Sequence, residues 1–204
     1  MINLNRFMLS DHEYLEIKTD GLPLEQVYNC YELDVWFIDT KNDQSIKFGF
    51  TDAGSFCYTL QQKIPKLLNR QCVIDVSVSS DLGFLMNQDF QNLYDQEYGF
   101  DEYYFFGNSH SRRRPYYSSW LYNNDHGNAI FEICPKYPWN DEDEKDRKRS
   151  DFMLYDQFMK NYKPALVRKI ELEYLQQWLK QVNHLVPVFE KNEQDDLNKT
   201  CGEA

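Results

Sequence analysis

His110-Ser111-Arg112-Arg113-Arg114 is the place where the residue types needed for phosphate chemistry stand side by side. Guanidinium forks match phosphate oxygens in a bidentate manner. A histidine beside them can act as general acid or base toward a phosphodiester. A phosphodiesterase or other nucleotide-acting enzyme is therefore one reading, with His110 as the acid or base and Arg112, Arg113 and Arg114 as the clamp. The competing reading is electrostatic: the cluster follows an acidic segment and neutralises Asp101 and Glu102 within the fold. The second reading fits better, because opposite charge crowded beside the clamp makes RNA an awkward ligand.

Other chemistry is thin. The four histidines (His12, His110, His126, His184) lie far apart, and none sits in HExxH or another metal spacing. His126, Glu132 and Cys134 lie on one predicted hairpin and offer a conceivable metal set, but an exposed turn histidine explains His126 as well. No GxSxG, P-loop or GxGxxG occurs, and the eight glycines are dispersed. Five cysteines (Cys30, Cys57, Cys72, Cys134, Cys201) are odd in number, scattered and without a CxxC pair. That usage fits reduced thiols in a cytosol rather than a disulfide framework. The expectation is a protein without catalytic residues, metal or cofactor.

The most informative feature is a charge gap. From Gln71 to Ser111 there is no Lys or Arg, while seven acids stand there: Asp75, Asp81, Asp89, Asp95, Glu97, Asp101 and Glu102. The segment also holds nine aromatics and ends in Tyr103-Tyr104-Phe105-Phe106. Seven of the eleven net negative charges come from this stretch. An exposed segment of this kind attracts a basic partner and repels nucleic acid. Asp95, Glu97, Asp101 and Glu102 would steer that partner, and Tyr98, Tyr103 and Tyr104 would supply contact area. The plainer reading makes Phe84, Phe90, Phe100 and Phe105 core and the acids a solvated face.

The elements that must position these residues follow from hydrophobic period. At 204 residues, 42% of them hydrophobic and 16% aromatic, the chain has enough apolar area for one folded domain. Its low mean hydropathy of −0.72 reflects many Asn, Gln, Asp and Glu. Residues 13–18 read as a short strand. Residues 31–40 and 45–50 alternate across Lys41-Asn42-Asp43-Gln44 and read as a hairpin. Residues 55–69 carry Phe56, Leu60, Ile64, Leu67 and Leu68 at helical spacing, with Asp52 or Ser55 as cap and Pro65 as a kink or stop. Residues 72–79 are β-branched and strand-like. Residues 82–94 fit a helix loosely. Strands are expected at 103–106, 116–122 and 129–134, the last two joined by Asn123-Asn124-Asp125-His126-Gly127-Asn128. Residues 141–149 are a solvated charge run. Helices are expected at 152–162 and 165–182, parted by Pro164, the second bearing the stripe Val167, Ile170, Leu175, Trp178, Leu179 and Val182. Residues 190–204 lack an apolar pattern and read as a flexible tail after a single domain of residues 1–189.

Trp120 to Trp139 (WLYNNDHGNAIFEICPKYPW), the acidic linker, Phe152 to Ile170 (FMLYDQFMKNYKPALVRKI) and the Trp-containing final helix together resemble bacterial immunity proteins of polymorphic toxin systems. The likeness covers about a third of the chain (residues 116–182) and carries no catalytic residue. It implies a cytoplasmic, non-enzymatic protein that binds and blocks a toxin domain. It transfers no binding residue by position, because such families use different surfaces.

The expectation is thus an α+β fold: antiparallel sheet from the hairpins 31–50 and 116–134, with helix 55–69 and two C-terminal helices packed on one face. The expected function is inhibition or sequestration of a basic protein such as a nuclease toxin, with carboxylates standing in for phosphates. Neither nucleic acid nor membrane is expected as a partner; no secretory signal or run of about 20 apolar residues is visible. The alternatives are the His110 enzyme and an adaptor or structural module.

Overall fold

The computed structural model describes residues 4–73, 82–89, 104–107, 116–139 and 141–202. The chain is α+β, built on two antiparallel four-stranded sheets. The first contains β1 (Arg6–Met8), β2 (Glu13–Lys18), β3 (Glu32–Asp39) and β4 (Gln44–Asp52), in that order. Alternation in β3 decides its two faces. Leu33, Val35 and Phe37 are fully buried, whereas Asp34, Trp36 and Ile38 face outward and are only partly covered. The turn to β4 closes through Asp43, which adopts a left-handed φ of 51° that Asp tolerates better than most residues.

Helix α1 (Ala53–Leu68) follows β4 without a loop. The Asp52 carboxylate accepts from the Ser55 N–H at 2.7 Å, satisfying a first-turn amide that would otherwise lack a partner. Phe56, Cys57, Leu60, Ile64 and Leu67 form the buried stripe. Pro65 lies inside the last turn, and the helix ends three residues later at Leu68. The expected cap and stripe hold, whereas the helix runs through Pro65 instead of stopping there.

The second sheet runs β5 (Tyr104–Gly107), β6 (Tyr117–Asn123), β7 (Ala129–Pro135), β8 (Leu166–Ile170). Helix α2 (Leu82–Asp89) precedes it; α3 (Glu144–Arg147) and α4 (Tyr155–Lys160) lie between β7 and β8, and α5 (Leu172–Gly202) ends the chain. The hairpins at 31–50 and 116–134 therefore belong to different sheets. The sheets meet where β4 lies against β5 and β6. Gly49 permits this approach, since a Cβ there would stand 3.1 Å from Val35 Cβ and 3.2 Å from Phe106 Cβ.

Most of the core is shared between the sheets and the packed pair α1 and α5. Sheet two is buried on both faces. Leu121, Phe131 and Ile133 face the main core, while Trp120, Tyr122, Ile130 and Cys134 pack against Leu82, Leu85 and Met86 of α2. β7 (AIFEICP) is apolar at every position but Glu132, as two-sided burial requires, and the polar Ser119 and Asn123 of β6 are buried with hydrogen-bond partners. The short α4 packs with α2 on that second face rather than beside α1 and α5.

One element differs in kind from its sequence expectation. The predicted helix at 165–182 begins only at Leu172, and Leu166–Ile170 is strand β8, paired antiparallel to β7. Val167, expected on the helical stripe, is 44% exposed on an edge strand. The true stripe of α5 is Leu175, Trp178, Val182, Leu185 and Phe189, all fully or almost fully buried. The helix also continues past Val182 and Glu190 to Gly202, and Asn192 donates to the Glu25 and Val27 carbonyls at 2.8 Å each.

Candidate protein-binding surface

Of the residues expected to meet a partner, Asp95, Glu97, Tyr98, Asp101, Glu102 and Tyr103 lie outside the described residues. Tyr104 is the first residue of β5, opposite Trp120 of β6. The elements on either side of residues 90–103, the stretch that carries Asp95, Glu97, Asp101 and Glu102, are described, and both are fixed to the second sheet.

The upstream flank is α2. Gly83 is required there: a Cβ would overlap the Cys134 side chain and the Tyr162 hydroxyl. Close approach lets the Gly83 N–H donate to Glu132 Oε1 at 3.1 Å. Glu132 also accepts from the Tyr122 hydroxyl at 3.0 Å and is 1% exposed. A carboxylate of β7 thus serves the first turn of a helix from across the interface, where negative charge is favoured. Asn87 fastens the other end. Its Nδ2 donates to the Gly83 and Pro135 carbonyls at 2.8 and 2.9 Å, and its Oδ1 accepts from the Tyr137 N–H at 2.7 Å. The Tyr155 hydroxyl donates to the Asn87 carbonyl at 2.7 Å. Tyr137 itself donates to Asp141 and to the Met153 carbonyl, and burial, with Asp141 beside it, pushes its phenol well above the ordinary range.

The downstream flank is β5. Ser119 Oγ accepts from the Phe106 N–H at 3.0 Å and donates to the Phe106 carbonyl at 2.7 Å. Phe106 stacks on Phe56 of α1 with centroids 5.4 Å apart, and Phe105 meets Phe131 edge-on at 6.2 Å. Phe105 and Phe106 are core residues, as the plainer reading of the aromatic run held for Phe105.

His110 and Arg112–Arg114 also lie outside the described residues. The hairpin set does not gather: His126 sits exposed in the 124–128 turn, while Cys134 pairs with Ser118 at the opposite end of the ladder. Cys134 Sγ accepts instead from the Trp120 indole N–H at 3.0 Å.

A grouping the sequence did not reveal is His12, Glu13 and Asp39, whose ligand-type atoms all lie within 4.8 Å of one another. Strand register creates it, since Glu13 of β2 stands opposite Asp39 of β3. Glu13 Oε1 accepts from Arg168 Nε of β8 at 2.7 Å. Asp39 accepts from the Lys41 and Asn42 N–H groups at 2.9 and 3.1 Å and from Asn42 Nδ2 at 2.6 Å. These bonds, the Asn42 side chain first, hold the Asp39 carboxyl below its ordinary value. Only the pairing of β2 with β3 brings the three together, so no spacing in the sequence signals them.

Among the described residues no helix is long and apolar enough to cross a membrane. Comparison with protein-family models, with curated proteins and with solved structures yields no match.

Proposed function

We propose that this chain is a non-enzymatic binding protein that inhibits or sequesters a basic protein, in the manner of a cytoplasmic immunity protein neutralising a toxin domain. The observation that carries the reading is the run of seven acids without Lys or Arg from Gln71 to Ser111. The anchoring of α2 and β5 supports it: residues 90–103, which carry four of the seven acids, are tethered on both sides, and a segment held at both ends loses less conformational freedom on binding than one held at a single end. Such a surface gains encounter rate from its charge and holding strength from its tyrosines.

The test is co-expression with the products of the reading frames adjacent to its own gene. A stable one-to-one complex with a basic product, lost when Asp101→Asn and Glu102→Gln are combined, is the expected outcome. The same purified protein should leave bis-p-nitrophenyl phosphate and single-stranded RNA intact. Robust hydrolysis, abolished by His110→Ala, would establish the enzyme reading in its place.

A further inference from the structure

We propose that His12, Glu13 and Asp39 form a binding site for a first-row divalent metal ion, with zinc the best match to the donors. The set is one imidazole nitrogen and two carboxylate oxygens, all within 4.8 Å of one another. Imidazole favours zinc and its neighbours over magnesium and calcium, and three protein ligands leave a fourth position for water.

Two features separate this group from a chance cluster of surface acids. First, Glu13 and Asp39 are 8% and 1% exposed, and they stand directly opposite on adjacent strands. Like charges in that position repel, and Arg168 pairs with Glu13. Second, the hydrogen bonds leave usable ligand atoms while fixing their direction. Arg168 holds Oε1 of Glu13, whereas among the described residues Oε2 has only the Ser10 hydroxyl at 3.5 Å, beyond good hydrogen-bond range. The turn amides and Asn42 orient Asp39. Thr40 binds the His12 carbonyl through its N–H at 2.9 Å and its hydroxyl at 3.0 Å. Among the described residues the His12 ring itself makes no hydrogen bond. Outer partners that aim carboxylates and fix the backbone of a ligand are what metal sites use to orient their ligands. Bound there, the ion would tie the ends of β2 and β3 together and, through Arg168, link them to β8.

The experiment is isothermal titration of tag-free, chelator-treated protein with ZnCl₂ and with MgCl₂, paired with thermal unfolding in each. One equivalent of zinc should bind and raise the unfolding midpoint, while magnesium does neither. His12→Gln, whose ring has no hydrogen bond to lose, should keep the metal-free midpoint and weaken zinc binding at least about tenfold. Glu13→Gln should weaken it likewise, and His126→Gln and Cys30→Ser should not. Absence of zinc binding by the wild type overturns the site. So does unchanged affinity in His12→Gln, which would place the zinc at another histidine or thiol.

Discussion

Trp178→Ala measures whether α5 is a structural member of the fold. The indole is fully buried and meets Phe7 of β1 edge-on, with centroids 5.8 Å apart and planes at 86°. Phe7 meets Phe56 of α1 at 5.2 Å, so one aromatic chain joins α5, the first sheet and α1. The indole N–H donates to the Met8 carbonyl at 2.8 Å. Truncating a buried Trp to Ala costs about 3–5 kcal/mol, through lost transfer energy and the cavity left behind. Domains of this kind have only about 5–15 kcal/mol in total, so roughly a fifth or more of the stability is at stake. With a urea slope of about 2 kcal/mol/M, the unfolding midpoint should fall by roughly 1.5–2.5 M. Trp178→Phe keeps most of the ring and drops the bond to Met8, for a loss of about 0.5–1.5 kcal/mol from the hydrogen bond. The assay is urea unfolding followed by far-UV circular dichroism. A loss below about 1 kcal/mol for the Ala variant would show that α5 is not docked as described.

The anchor of α2 is tested by Glu132→Ala, which strips the Gly83 N–H and the Tyr122 hydroxyl of their acceptor; a loss of about 2–4 kcal/mol is expected, with hydrogen exchange rising in residues 82–89. Thiol chemistry should divide the cysteines: Cys30 is exposed and alkylates in native protein, whereas Cys57, buried and with its thiol pushed up to about 12 by that burial, resists until unfolding. Because the Cys30 thiol donates to Glu193, which raises its pKa, Glu193→Gln should speed Cys30 alkylation several-fold, as read by peptide mass spectrometry. The Asp39 carboxyl is depressed in the fold, so its contribution to stability is complete above its ordinary value of 3.8 and is lost as pH falls through the lower folded value. Urea midpoints should therefore drop more steeply with acid in the wild type than in Asp39→Asn.

Local patterns made much of the fold legible. Alternation marked β3 and β4, the Asn123–Asn128 turn marked the β6–β7 hairpin, and Asp52 with its apolar stripe marked α1. Non-local pairing was invisible. Leu166, Val167 and Ile170 match helical spacing as readily as strand spacing, and only the free edge of β7 decides for β8. The end of α5 was obscured by Pro187 and by the polar residues after Glu190, although Asn192 ties that part of the helix to residues 25 and 27. For the proposed binding surface, charge composition pointed to a segment, and the structure adds what anchors α2 and β5 within it. The His12–Glu13–Asp39 group depends on cross-strand register, which no residue spacing encodes.

The most direct test of the binding account is the association rate with the co-purified basic partner at two ionic strengths. Exposed charges steer encounter more than they hold a complex. The Debye length falls from about 10 Å at 0.1 M salt to about 3 Å at 1 M. Stopped-flow mixing should show association slowing strongly over that range, and slowing several-fold at low salt when Asp101→Asn and Glu102→Gln are combined. Tyr104→Ala should act on dissociation instead. Salt-independent association, unchanged by the double neutralisation, would contradict the account and place the binding face elsewhere.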